Sequence, residues 1–272
     1  MPFSKSGKMY YEAVGQKKNA AIIFLHGFMG NSREWLPVAQ SLSREYYCLL
    51  PDLPGHGRTV GLEDADYTLS GAAALVREML QNEGIERADL VGYSMGGRLG
   101  WYLAVTYPEI WRSVILENTT PGISAAAERA ARRRDDEKLA RRLEGGDLQS
   151  FVEAWYRLPL WQSLRGHPHL PGLIRERSRN NPHELSKSLR KMGTGSQPDL
   201  REHFQLINFP VFLLSGGKDL KFYRIARELR EQFPRFQLWE FPEAGHNIHF
   251  EMPEQFLNCL KQILNKRGDE NE

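Results

Sequence analysis

With 272 residues, 41% of them hydrophobic and 26% charged, the chain is long enough for one substantial core with an insertion, and its composition excludes disordered and fibrous classes. A formal net charge of +2 is too balanced for nucleic acid or an anionic membrane to be the main partner. Residues 1–14 lack the apolar core of an export signal, and no run approaches the ~20 apolar residues that span a bilayer, so a cytoplasmic protein is expected.

Short apolar runs rich in β-branched and aromatic residues alternate with helical patterns, which predicts an α/β fold whose mostly parallel sheet is buried on both faces. In chain order, residues 9–14 read as an edge strand, 21–25 as a buried strand, 35–42 as a helix and 46–50 as a strand. A helix over 69–83 is closed by Gly84; a strand over 88–91, a helix over 95–107 stopped by Pro108 and a strand over 113–116 follow. Later come strands at 211–215 and 237–241 and helices at 223–232 and 254–265, with Pro210 and Pro242 at strand ends, where a missing amide is tolerated. Cys48 and Cys259, on a predicted strand and a predicted helix far apart in sequence, are expected to be unpaired thiols. The polar tail 265–272 is expected to fray.

Between residues 119 and 204 the alternation gives way to helical patterns, many arginines and the turn-like pairs Gly145-Gly146, His167-Pro168 and Pro171-Gly172. This predicts a core over 1–118 and 205–272 with a helical cap over 119–204, counted as following the sixth strand. A cap there would cover the carboxyl ends of the strands, where open α/β sheets place their ligands.

The strongest chemical signal is Gly92-Tyr93-Ser94-Met95-Gly96-Gly97, set between a strand and a helix as a nucleophile elbow requires. A serine hydroxyl needs a base to take its proton and a third group to fix that base's tautomer. Asp219 follows the strand at 211–215, and His246 follows the strand at 237–241, giving the chain order Ser, Asp, His expected of such a site. Glu117 is the alternative acid and His249 the neighbouring histidine. The loop His26-Gly27-Phe28-Met29-Gly30 supplies an amide, assigned to Phe28, that forms an oxyanion hole with the amide of Met95, while His26 is read as structural. The turn 51–57 is read as shaping the rim. Arg98, four residues after Ser94, points to a substrate bearing carboxylates, since a guanidinium fork pairs with them bidentately, whereas most of the arginines of the cap read as a solvated charged face that Asp135, Asp136 and Glu137 partly neutralise. The histidines lack metal-ligand spacing, so no metal and no cofactor are expected.

In this order HGF, DLPGHG, GYSMGG and AGH resemble the α/β-hydrolases along essentially the whole chain. SMGGR, the run ending in RRRDD, FVEAWYRLPLW and RSRNN further resemble the 2-succinyl-6-hydroxy-2,4-cyclohexadiene-1-carboxylate synthases of menaquinone biosynthesis. That resemblance implies a lyase that eliminates pyruvate from a small molecule with several carboxylates. It implies Ser94, Asp219 and His246 as the catalytic set and Tyr93, Arg98, Arg132, Trp155 and Arg177 as substrate-binding residues.

Overall fold

A computed structural model describes residues 3–269. The chain enters through β1 (Tyr11–Val14) and β2 (Ala20–Leu25), then α1 (Leu36–Leu42), β3 (Tyr46–Pro51), α2 (Leu69–Glu83), β4 (Ala88–Tyr93), α3 (Met95–Thr106) and β5 (Trp111–Glu117). A helical segment follows: α4 (Ala126–Gly145), α5 (Leu148–Tyr156), α6 (Leu170–Arg177) and α7 (Pro182–Met192). The sheet resumes with β6 (Val211–Gly216), α8 (Leu220–Gln232), β7 (Gln237–Phe241), the short α9 (Ile248–Glu251) and α10 (Pro253–Asp269).

The strands lie in the order β1-β3-β2-β4-β5-β6-β7, with β1 antiparallel to β3 and every other pair parallel. Side chains alternate across the sheet with the two-residue period of a strand. Ala21, Ile23 and Leu25 face α2, α3 and α8 through Val76, Leu99 and Leu229, whereas Ile22 and Phe24 face α1 and α10 through Leu42 and Phe256. Helices therefore cover both faces, and the sheet is buried as its apolar runs require. A third apolar cluster, with Ala140, Leu143, Phe151, Val152, Trp161, Leu185 and Leu189, binds the helical segment together and reaches the main body at Met29.

Two expectations are corrected. The helical segment follows the fifth strand among the described residues, not the sixth, since the five apolar runs read before residue 119 form β1 to β5 and no further strand stands between them. The C-terminal helix runs on to Asp269 instead of stopping at 265, since Phe256, Leu260, Ile263 and Leu264 dock it firmly and helix propagates cheaply from a docked turn. Residues 270–272 of the tail, and Met1 and Pro2 of the N-terminal stretch, lie outside the described residues. Cys48 and Cys259 are buried free thiols. No helix among the described residues is long and apolar enough to cross a membrane.

All strands after β1 point their carboxyl ends to one edge of the sheet. The loops after β2, β4, β5, β6 and β7 therefore meet there, which brings together residues more than 150 positions apart.

Candidate active site

Strand β4 turns into α3 at Ser94, whose φ of +49° lies in the left-handed region that non-glycine residues rarely adopt. Three glycines make the sharp turn possible. A Cβ at Gly92 would stand 2.8 Å from the Gly96 carbonyl oxygen, one at Gly96 would stand 2.2 Å from that of Leu25, and one at Gly97 would meet Thr119 at 2.7 Å. The turn is pinned by Ser94 N donating to Glu117 O at 3.0 Å and by Thr119 Oγ1 donating to Ser94 O at 2.8 Å. Such strain persists only where neighbours over-determine it.

His246 Nε2 lies 2.9 Å from Ser94 Oγ, and His246 Nδ1 lies 2.6 Å from Asp219 Oδ2. Both partners of that short contact are buried. The second oxygen of Asp219 accepts from the amide of Phe222 at 3.3 Å and caps α8, so this helix starts at Leu220 instead of at the expected residue 223. The imidazole is walled by Tyr93, Trp161 and Phe222, with ring centroids 5.4, 5.2 and 4.8 Å away. Its backbone is anchored by Asn118, whose Nδ2 donates to the carbonyls of Gly245 and His246 at 2.9 Å each while Oδ1 accepts from Gly216 N at 3.2 Å.

The loop after β2 closes with Gly30 N donating to Gly27 O at 2.9 Å, and Met29 takes a φ of +63°. Gly27 is glycine for space, because a Cβ there would strike the Tyr93 ring at 2.5 Å. Asn180 Nδ2 donates to Met29 O at 2.8 Å and ties the loop to the residues after α6. His26 spends both ring nitrogens on local structure: Nδ1 meets Gly27 O at 2.8 Å and Nε2 accepts from Leu53 N at 2.9 Å. Phe28 and Met95 lie with Ser94 on the wall of one cavity of about 370 Å³.

The same wall carries Tyr93, Arg98, Arg132, Trp155 and Arg177. Arg98 is buried and donates through Nη1 to Met192 O at 2.6 Å; burial and the charge of Arg132 bring it down to about 10, against the pull of Asp136. Arg132 pairs through Nε with Asp136 at 2.7 Å, whereas the adjacent Arg133 turns its Nε to Gly195 O at 3.4 Å. Arg177 is paired with Glu34 at 2.5 Å, and its Nε is buried without a hydrogen-bond partner among the described residues. Arg179, its neighbour, pairs with Glu176 at the surface. The wall gains a fourth cation, Lys221, held below its ordinary pKa by burial and then by Arg132.

A family model for the alpha/beta hydrolase fold matches residues 20–253. The chain belongs to the α/β-hydrolase fold family. Within it, the chain is 35% identical over 253 residues to the putative 2-succinyl-6-hydroxy-2,4-cyclohexadiene-1-carboxylate synthase of Bacillus subtilis strain 168, covering 92% of each chain. It is 35% identical over 246 residues to the synthase of that name from Enterobacter sp. strain 638, covering 90% of this chain and 92% of that one. The solved structure of MenH from S. aureus matches it with a TM-score of 0.90 and 30% identity, over 96% of this chain and 99% of that chain. Likeness of this extent to named synthases makes the chain an enzyme of the α/β-hydrolase fold.

Sequence reasoning about this hydrolase fold missed several residues that the structure brings to the site. Trp161 stood inside FVEAWYRLPLW, so its aromatic character was a usable signal; Asn118, Lys221 and Phe222 carry no motif of their own. Glu117 and His249, the alternative acid and base, pair instead with each other at 2.7 Å. What the Ser94, His246 and Asp219 arrangement can do is move a proton from a hydroxyl to an imidazole whose tautomer a carboxylate fixes.

Proposed function

We propose that the chain is a lyase that eliminates pyruvate from 2-succinyl-5-enolpyruvyl-6-hydroxy-3-cyclohexene-1-carboxylate, giving 2-succinyl-6-hydroxy-2,4-cyclohexadiene-1-carboxylate in menaquinone biosynthesis. The observation that carries this reading is the juxtaposition of the Ser94, His246 and Asp219 line with a cavity wall holding Arg98, Arg132 and Arg177. The substrate bears three carboxylates, and a wall of guanidinium groups is suited to them. The names of the relatives point the same way.

In this mechanism Ser94 Oγ passes its proton to His246 Nε2 and removes the ring proton beside the succinyl ketone. Asp219 holds His246 in the tautomer that can accept and stabilises the imidazolium that forms. The ketone oxygen becomes an enolate oxygen, stabilised by the amides of Phe28 and Met95; one such donor is worth ~3 kcal/mol in the transition state. The electron pair then moves through the ring double bond and breaks the carbon–oxygen bond to the enolpyruvyl group. His246 returns its proton to the departing group, which leaves as pyruvate, and the ring keeps two conjugated double bonds. No water is consumed and no acyl-enzyme forms.

Tyr93 and Trp155 wall the ring, and α4 to α7 act as a cap that keeps water from the enolate. The test is incubation of the purified protein with this substrate. Pyruvate should appear in step with the absorbance of the conjugated diene. Cleavage of simple carboxylic esters or thioesters with no pyruvate release would make the chain a serine hydrolase acting on an anionic substrate.

A further inference from the structure

Four ionisable side chains run in single file behind the cavity wall, apart from the Ser94 line. Glu117, the last residue of β5, accepts from the amides of Ile248 and His249 through Oε1 at 2.6 and 3.2 Å and meets His249 Nδ1 through Oε2 at 2.7 Å. His249 Nε2 lies 3.4 Å from Glu34 Oε1, and the same oxygen lies 2.5 Å from Arg177 Nη2. These side chains are 0%, 3%, 8% and 4% exposed in that order, so solvent screens none of them. The file thus crosses from the sheet, through the short α9 and the loop before α1, to α6 of the helical segment. The His249 ring is fixed in it, stacked on Trp35 at 4.0 Å and edge-on to Tyr93 at 4.9 Å.

A neutral imidazole has one N–H and one lone pair. Nδ1 is held by Glu117, and Nε2, which has no hydrogen-bond partner among the described residues, lies within ion-pair reach of Glu34, so a neutral ring would set its lone pair against one carboxylate, whereas the charged ring is attracted by both. Burial opposes that charge, but Glu117 and Glu34 outweigh it and raise His249 to about 9. The other titratable groups facing the file stay neutral: burial pushes Tyr93 well up and raises Tyr156, which faces Arg177, and burial lowers His26, which faces Glu34, and His56. Trp35 and Phe256, packed on the remaining sides of His249, carry no titratable group.

With His249 charged, two carboxylates and two cations cancel. With it neutral, the file carries one net negative charge in a low-dielectric wall, and an incoming carboxylate is repelled. We propose that Glu34, His249 and Glu117 are positioning residues for Arg177, and that the charge on His249 allows Arg177 to bind a substrate carboxylate while it stays paired with Glu34. The proposal rests on the lyase reading above.

The experiment measures pyruvate release from the enolpyruvyl substrate by the wild type, His249→Gln and the double variant His249→Gln/Glu117→Gln, from pH about 7 to about 9.5. His249→Gln should raise KM about tenfold with kcat within about twofold, because it leaves the wall one charge negative. The double variant removes one charge of each sign and should bring KM back to within about threefold of the wild type. As the pH passes about 9, wild-type KM should climb more steeply than that of the double variant. Arg98 and Lys221 on the cavity wall are the same in both and cancel from that difference. An unchanged KM in His249→Gln, or a joint fall in kcat and thermal stability that the double variant deepens, overturns the proposal. If His249→Gln fails to fold, the pH profiles of the wild type and the double variant decide it. A wild type that releases no pyruvate sinks the lyase reading and this proposal together; an active wild type with unresponsive variants sinks this proposal alone.

Discussion

Asp219 does two jobs with one carboxylate, one oxygen on His246 and the other capping α8. A capping aspartate and a catalytic one are usually weighed as rival readings; here the helix cap is what aims the oxygen. Arg98 is similarly double, since it lines the cavity and holds the Met192 carbonyl of α7. Changing Arg98→Ala should raise KM for the tricarboxylate about 10- to 100-fold with a smaller change in kcat, and Arg98→Lys should recover little, because an ammonium lacks the planar fork. Steady-state kinetics check this; an unaltered KM with a lowered melting temperature would assign Arg98 to the Met192 contact alone. At this scale Ser94, Asp219 and His246 were legible because each sits in a short motif at the end of a strand. The pairing of Arg177 with Glu34 was not, since 143 positions separate them and neither residue type marks its partner.

Among elements, the turn from β4 to α3 is the most constrained. Gly96 faces the backbone oxygens of Leu25 and His26, which cannot move aside as a flexible side chain could. Gly96→Ala should therefore push the elbow away from the loop after β2, costing ~1–3 kcal/mol of stability and displacing Phe28 relative to Ser94. Urea unfolding and pyruvate release measure the two effects; a variant with wild-type midpoint and rate would show that the close approach is not required. Apart from the short α9, the strands and the helices of the core were readable to within a few residues, because a sheet buried on both faces makes each strand a short continuous apolar run and the covering helices repeat their apolar residues every three or four positions. Helix α10 was under-called, as its last turns are polar and are held by the docked turns before them. The helices of the segment after β5 declared their existence but not their places, because α4 buries only Asp136, Ala140 and Leu143 and shows almost no apolar stripe.

For the whole molecule, the buried file of charges ties stability to pH from both sides. Burial raises the Glu34 carboxyl, but Arg177 and His249 outweigh it and hold it at about 2, below its ordinary 4.5. A depressed carboxylate contributes stability above its unfolded value and loses it as pH falls through the folded one, here from about 4.5 down to about 2. His249 has the opposite sign: its raised value contributes stability below about 6.5, lost as pH rises through about 9. Melting temperature should therefore be highest between those windows and fall on both flanks, and the alkaline fall should be absent from His249→Gln/Glu117→Gln. A profile flat from pH about 6 to about 10 would contradict the charged His249.

The central claim is that this serine apparatus eliminates instead of hydrolysing. Mass spectrometry of the products, with wild type and Ser94→Ala compared, tests it most directly. Pyruvate and the ring diene together should equal the substrate in mass, with no water added, and Ser94→Ala should slow their release at least ~10³-fold. A ring product one water heavier, or a Ser94→Ala enzyme as fast as the wild type, would contradict it.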